Sequence, residues 1–232
     1  MNYLKTTDIL QIFKEKYKNQ EFRTIGNNVQ QSKTIEIQNA NFIADKDWIV
    51  RQPNYEYFQR ELQWYLSQSL NVNDIPGGAP TMWKACADKY GYVNSNYGWV
   101  IFSAQNEYQY DSCKQKLIDD PHTREAIMIY NRPSMQTDYC LNGMHDFMCT
   151  QNVQYFINER FGMTFLDCIV NIRSNDAVFG YDNDYLWFKY VLEKLANDIH
   201  YVNDKQLMPG LIYWNAGSLH VYERHFKFLE DV

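Results

Sequence analysis

From Ala126 onward the chain sets several short apolar runs of strand length around one long helical pattern, and this most constrains its fold. The strand-like runs are Ala126–Tyr130, Val153–Ile157, Leu166–Ile172, Leu211–Trp214 and Leu219–Tyr222. The helix is predicted over about 183–198, where Phe188, Val191, Leu192 and Leu195 recur at helical spacing and face inward. The first half reads mostly as helices. Residues 6–18 place Ile9, Leu10, Ile12, Phe13 and Tyr17 on one side, and residues 53–70 do the same with Tyr55, Phe58, Leu62, Tyr65 and Leu66. Further helices are expected over Thr81–Lys89 and Tyr108–Asp119, the latter stopped by Pro121. One early strand, Lys33–Ile43, alternates with Ile35 and Ile37 on one face. Pro76-Gly77-Gly78 breaks the loop between helices, and Gly162-Met163-Thr164 reads as a simple turn. Helices first, then strands around one buried helix, imply a single α+β domain, with layered helices and sheet, spanning residues 1–232.

With 232 residues and 45 % hydrophobic content, the chain can bury a sizeable core. Its net charge of −6 argues against coating a nucleic acid, which calls for a basic stripe. A phosphorylated small molecule remains open, because a few arginines suffice for one phosphate. The five cysteines, Cys86, Cys113, Cys140, Cys149 and Cys168, include no C-x-x-C pair and match no zinc spacing, so no metal is expected. The N-terminal Met1–Lys5 carries no secretory signal and no apolar run is long enough to span a membrane, so a cytosolic protein with reduced thiols is expected.

Five groups could carry chemistry. Cys149 sits among Asp146, Thr150, Gln151, Asn152 and Gln154, a setting more polar than an ordinary core cysteine keeps. A nucleophilic thiolate needs electropositive neighbours, which Arg173 or Arg124 could supply. Glu61 shares the inward stripe of Phe58 and Tyr65, where a carboxylate is costly unless paired or functional. Arg173 and Ser174 end the Leu166–Ile172 strand and could grip a phosphate by a fork and a hydroxyl, or simply form a surface ion pair. His220 and Tyr222 alternate on one strand face and could hold a sugar hydroxyl, or stand as a satisfied polar pair. Asp184 is expected in the first turn of its helix, where an acid ordinarily caps and favours the dipole.

These residues fall into motifs. Glu61-Leu62-Gln63-Trp64-Tyr65-Leu66, Met82-Trp83 with Ala87-Asp88, Asn96-Tyr97-Gly98 and Asp120-Pro121-His122-Thr123-Arg124 come first. Cys149 with Gln154, Arg173-Ser174-Asn175-Asp176 with Gly180, and His220-Val221-Tyr222 with His225 follow in order. On these the chain resembles the thymidylate synthase superfamily along most of its length. The runs Asp74-Ile75-Pro76-Gly77, Ser95-Asn96-Tyr97-Gly98-Trp99, Arg132-Pro133-Ser134-Met135-Gln136 and Asp146-Phe147-Met148-Cys149-Thr150 resemble its phage deoxycytidylate hydroxymethylase branch.

The resemblance implies a mixed β-sheet flanked by helices, with one sheet face packed in a homodimer. It implies that Cys149 adds to C6 of dCMP, so that C5 attacks the one-carbon unit of 5,10-methylenetetrahydrofolate and water completes a hydroxymethyl group. Glu61 would organise water and proton transfers, and Tyr97 would assist loss of the C5 proton. Arg173, Ser174 and, from the second subunit, Arg124 would hold the 5′-phosphate, while His220 and Tyr222 would hold the deoxyribose. Trp83, Asp176, Phe179 and Gly180 would meet the folate. The setting implied is the host cytoplasm during synthesis of modified phage DNA, in company with other phage nucleotide-synthesis enzymes.

Departures from the synthase pattern sharpen the expectation. Asp184 stands where synthases carry asparagine. An amide complements uracil, whereas a carboxylate accepts from the cytosine amino group, and from N3 once the ring takes up a proton. Thr150 replaces a histidine, Cys86 a folate-facing tryptophan and Glu125 a second arginine, and Arg23 is a candidate for the N-terminal phosphate contact. The chain runs only seven residues past His225, which is expected to leave the site open to water. The rival expectations are a dUMP-directed synthase or hydroxymethylase, and a catalytically inactive binding subunit.

Overall fold

The computed structural model describes residues 3–26, 31–203 and 207–230. Strand β1 (Leu4–Lys5) leads into helix α1 (Thr6–Lys18), whose Ile9 and Phe13 are buried. Asp8 accepts from the Lys5 amide at 2.8 Å and satisfies one donor at the helix start. Strands β2 (Arg23–Gly26) and β3 (Gln31–Ile43) form an antiparallel pair. Helix α2 (Tyr55–Ser67) begins where Asn54 accepts from the Tyr57 amide at 3.0 Å. It ends at Gln68, which takes φ 59. It is therefore shorter at both ends than the predicted 53–70, because periodicity does not locate caps.

Helix α3 (Thr81–Cys86) stops before the predicted Lys89, and α4 (Tyr97–Phe102) is a short helix that the sequence pattern did not signal. Asn96 caps α4 by accepting from the Trp99 amide at 2.8 Å, and its own amide donates to the carbonyls of Trp64 and Ser69. Gly98 lets α4 press against α2: a Cβ there would stand 1.8 Å from the Tyr65 carbonyl oxygen. Helix α5 (Gln109–Asp119), strand β4 (Ile127–Ile129) and the single turn α6 (Met135–Asp138) follow. Then come β5 (Thr150–Arg160), β6 (Met163–Ile172), β7 (Asn175–Asp176), α7 (Gly180–Asn203), β8 (Leu207–Tyr222) and α8 (Lys227–Glu230).

The strands form one mixed sheet in the order β1-β3-β8-β6-β5-β4, with β2 on β3 and β7 on β8. Central β8 runs antiparallel to β3 and parallel to β6. The two predicted runs Leu211–Trp214 and Leu219–Tyr222 are one strand of 16 residues. Polar Asn215 and Ser218 with Gly217 interrupt the apolar pattern but not the backbone. Gly217 is needed where β8 passes the end of β6, since a Cβ would lie 2.9 Å from the Arg173 carbonyl oxygen.

In the middle of β5, β6 and β8, at residues 153–156, 168–172 and 212–216, the side chains alternate between fully and partly buried. The fully buried set, including Val153, Tyr155, Cys168, Val170 and Trp214, packs with Trp187, Phe188, Val191, Leu192 and Leu195 of α7 in one core. The opposite face carries a row of asparagines: Asn215 donates to Asn171 at 3.1 Å, and Asn171 to Asn152 at 2.9 Å. Arg160 and Asp167 form a buried-edge ion pair near Gly210, and Asp167 also accepts from the Leu211 amide at 2.7 Å.

Candidate active site

A cavity of about 820 Å³ opens where α2, α3, α4, β7, the start of α7 and the end of β8 converge. Its wall gathers Glu61, Trp83, Tyr97, Cys149, Ser174, Asp176, Phe179, Gly180, Asp184, His220 and Tyr222, eleven of the thirteen residues singled out from sequence. Arg173 and Arg124 are outside that wall.

Glu61 is 3 % exposed, on the inward stripe of α2 as expected. One carboxylate oxygen accepts from Trp83 Nε1 at 2.6 Å and from the Tyr57 hydroxyl at 2.5 Å. The other, Oε2, is buried without a protein partner. Burial raises the pKa of Glu61 against the opposing pull of these two donors. Tyr57 was missed from sequence, although its spacing of four residues before Glu61 on one helix face was the available signal.

Asp184 sits in the second turn of α7, because that helix begins at Gly180 rather than near Asp182. The expected N-terminal cap is thus corrected. Its Oδ2 accepts from Asn175 Nδ2 at 2.8 Å. Burial, reinforced by the negative charge of Glu61, pushes its pKa up to about 7, and hydrogen bonds from Tyr97 and Asn175 only partly oppose this. Tyr97 is 5 % exposed and accepts from the Thr150 hydroxyl at 2.9 Å. Glu61 and Asp184 are thus both shifted toward the protonated form by burial.

Cys149 lies just before β5, half-buried against the cavity. Arg173 donates to the Met148 carbonyl at 3.1 Å, approaches Cys149 Sγ at 3.6 Å through Nη2 and stacks over Phe147 at 4.7 Å. Burial nevertheless dominates and pushes the thiol pKa up to about 11, with Arg173 lowering it and Asp184 raising it. Arg173 supplies the expected electropositive field, but in the free protein burial outweighs it. Arg124 is not among the groups that shift the cysteine; it is exposed, and its carbonyl accepts from Gln154 at 2.8 Å. Arg23 pairs with Glu36 on the β2–β3 ribbon.

His220, 7 % exposed, shares a strand face with Tyr222, their rings 4.8 Å apart. Ser218 Oγ is 3.3 Å from His220 Nδ1, and burial lowers the histidine pKa, keeping the ring neutral. At the far end Phe179 stacks edge-on with His225 at 4.8 Å and lies under the Arg51 guanidinium at 4.3 Å. Asp176 accepts from the Val178 amide at 2.9 Å. Asp182 was missed from sequence. It is 2 % exposed, its Oδ1 has no partner, and burial raises its pKa to about 8 despite Arg51.

A thiol, a histidine with lowered pKa, two carboxyl groups with raised pKa and an aromatic wall are gathered where strand ends meet, the parts that covalent chemistry on a flat heterocycle would need. Residues 7–232 match the family model described as thymidylate synthase. The chain belongs to the thymidylate synthase family. Within this family it is 52 % identical over 199 residues to a deoxycytidylate 5-hydroxymethyltransferase of Enterobacteria phage T4, covering 85 % of this chain and 79 % of that relative. The same identity and coverage hold for the phage T6 protein of that name. A thymidylate synthase of Francisella tularensis subsp. holarctica (strain LVS) is more distant, 22 % identical over 182 residues, 74 % of this chain and 62 % of the relative. Among the described residues of this family member, no helix is long and apolar enough to cross a membrane, and no His/Cys/Asp/Glu group is arranged to hold a metal.

Proposed function

We propose that this chain is a deoxycytidylate 5-hydroxymethyltransferase, converting dCMP, 5,10-methylenetetrahydrofolate and water to 5-hydroxymethyl-dCMP and tetrahydrofolate. The observation that carries the reading is Asp184, a carboxyl group with its pKa raised to about 7 inside the pocket that holds Cys149 and Glu61. Neutral cytosine offers an amino donor at C4 and an acceptor at N3. A protonated carboxyl answers both, accepting from the amino group and donating to N3.

The roles follow from position. Ser174, with Arg173 beside it, faces the nucleotide phosphate, and a second copy of the chain supplies Arg124. His220 and Tyr222 receive the deoxyribose hydroxyl. Cys149 Sγ bonds to C6 as the C5=C6 pair shifts toward C5. Asp184 passes its proton to N3, which draws electrons from C6 and offsets the cost of the thiol giving up its proton to water in the pocket. Bound methylenetetrahydrofolate supplies the electrophilic carbon that C5 attacks.

The pocket suits that co-substrate, because Trp83 and Phe179 offer flat faces and Asp176 a carboxylate toward a heterocycle with ring N–H groups. Tyr97, tied to Thr150, stands where the C5 proton leaves; the electron pair of that C–H bond forms the exocyclic C=C as the bond to the folate nitrogen breaks and tetrahydrofolate departs. Glu61 Oε2, buried without a protein partner, orients the water that attacks the exocyclic methylene. Expulsion of Cys149 then restores the ring.

The asparagine-lined sheet face opposite α7 is the surface through which two copies would pair. The proposed setting is the host cytoplasm during synthesis of hydroxymethylcytosine-containing phage DNA, with other nucleotide-synthesis enzymes as neighbours. Mass analysis after incubation with dCMP and methylenetetrahydrofolate tests the reading. A product heavier than dCMP by CH2O is expected; a methyl product or unmodified dCMP overturns it, and turnover of dUMP alone points to a dUMP-directed enzyme.

A further inference from the structure

Asn175 is the second polar group beside the base-reading position, and the reaction as outlined gives it no task. It lies on β7, 3 % exposed, and lines the active-site cavity. Its Nδ2 donates to Asp184 Oδ2 at 2.8 Å, while its Oδ1 is buried with no partner. A buried amide oxygen left unsatisfied costs ~1–3 kcal/mol, and on a residue that lines a ligand cavity a small turn of the amide is enough to offer it to a donor on the ligand. The 4-amino group of cytosine carries two N–H bonds, and Asp184 Oδ2 accepts only one of them.

We infer that Asn175 is a specificity-determining residue, its Oδ1 accepting the second N–H of the cytosine 4-amino group beside Asp184. This rests on the dCMP reading above and extends it. The carboxyl oxygen at Oδ2 can only accept when the proton sits on Oδ1. It therefore holds the Asn175 amide with Nδ2 turned toward Asp184 and Oδ1 turned away. In that orientation uracil O4 meets oxygen on two sides, from Asp184 and from Asn175. The selection is thus a property of the pair, since Asp184 sets which end of the Asn175 amide the base encounters. Gly180 leaves room for it: a Cβ there would reach 3.4 Å from Asn175 Nδ2.

The groups that bear on Asp184 from the packed elements are Glu61 and Tyr65 of α2, Tyr97 of α4, Tyr130 after β4, and Cys149 before β5. Of these, Tyr97 is also hydrogen-bonded to Asp184, but as a donor, so it does not supply the second acceptor that Asn175 Oδ1 offers.

The test compares wild type, Asn175→Leu and Asn175→Ala, measuring kcat/KM for dCMP and for dUMP and a thermal melt for each. Leucine keeps the volume and removes both polar atoms; alanine avoids crowding if leucine does not fold. The dCMP-to-dUMP ratio is expected to fall by roughly tenfold to hundredfold, mainly through a higher KM for dCMP. Equal losses on both nucleotides, with the ratio unchanged, would mean that Asn175 only supports the fold and would overturn the inference. Wild-type protein with N4-methyl-dCMP, which keeps one amino hydrogen, gives a reading independent of folding. An undiminished kcat/KM on that substrate also overturns the inference. A wild-type protein that does not turn over dCMP instead overturns the parent reading, so the two failures are separable.

Discussion

Replacing Asp184 with asparagine is the most direct probe of base choice. In wild type the position-4 substituent meets two fixed acceptors, Asp184 Oδ2 and, by the inference above, Asn175 Oδ1. Uracil O4 there leaves both unsatisfied, at ~1–3 kcal/mol each, so discrimination of ~2–6 kcal/mol rests on the pair. In Asp184→Asn the neighbouring amides can turn together. One orientation offers acceptors to the cytosine amino group, and the other offers donors to O4. The dCMP-to-dUMP ratio of kcat/KM should therefore fall by roughly 30-fold to 10⁴-fold, toward parity. Steady-state assays with both nucleotides at saturating methylenetetrahydrofolate measure it. The pH profile adds a second readout. Asp184 titrates at about 7, and its protonated form is the one that donates to N3. Wild-type kcat/KM for dCMP should fall as pH rises above that value, and the variant should lose this limb. A ratio within threefold of wild type, or an unchanged alkaline limb, would refute the reasoning.

Cys149→Ala should lower turnover below roughly one ten-thousandth of the parent rate while calorimetry still detects dCMP binding. Because burial holds the thiol pKa at about 11, alkylation of Cys149 in the free protein should keep accelerating as pH rises well past neutrality; a plateau near pH ~8 would count against this. Asp182→Asn should stabilise the protein most at alkaline pH. The folded-state pKa of about 8 stands far above the ordinary 3.8, so wild-type stability falls as pH rises from the lower value through the higher. Full expression of that shift sets a ceiling of ~6 kcal/mol; a Tm gain of ~2–4 °C or more near pH ~8.5, shrinking toward pH ~5, is expected in differential scanning calorimetry. Gly98→Ala should cost at least ~3 kcal/mol in denaturant unfolding, since its Cβ would collide with the Tyr65 carbonyl oxygen 1.8 Å away.

Much of this was readable from residues alone. Helix α1 matches its predicted span, and the inward face of α7 follows from apolar spacing, whereas on α2 Phe58 and Tyr65 are buried but Tyr55 and Leu66 are exposed. Glu61 stood out because a carboxylate on an apolar stripe violates the pattern around it. His220 and Tyr222 share a face because strands alternate. What could not be read depends on distant contacts. Gly217 looked like a break in β8, but an extended backbone tolerates glycine where the Arg173 carbonyl presses close. The start of α7 was misplaced because Asp182 and Asn183 look like cap residues, while the helix begins earlier at Gly180. The thiol of Cys149 has a charged neighbour in sequence and in space, and only its burial reveals which influence wins. Asn175 and Asp182 carry no local sign that one oxygen of each is left buried without a partner.

The position of β8 also bears on how the chain is made. This strand lies between β3 and β6, and its pairing with β3 joins residues 31–43 to residues 207–222. A ribosome delivers the N-terminal partner long before the central strand exists. Until β8 emerges, β3 and β6 each expose an unpaired edge, the kind of edge that recruits other chains. The same late segment brings His220 and Tyr222, so closing the sheet and completing the nucleotide pocket are one event. A nascent chain halted before residue 207 would have Cys149 and Asp184 but neither a closed sheet nor a place for the sugar.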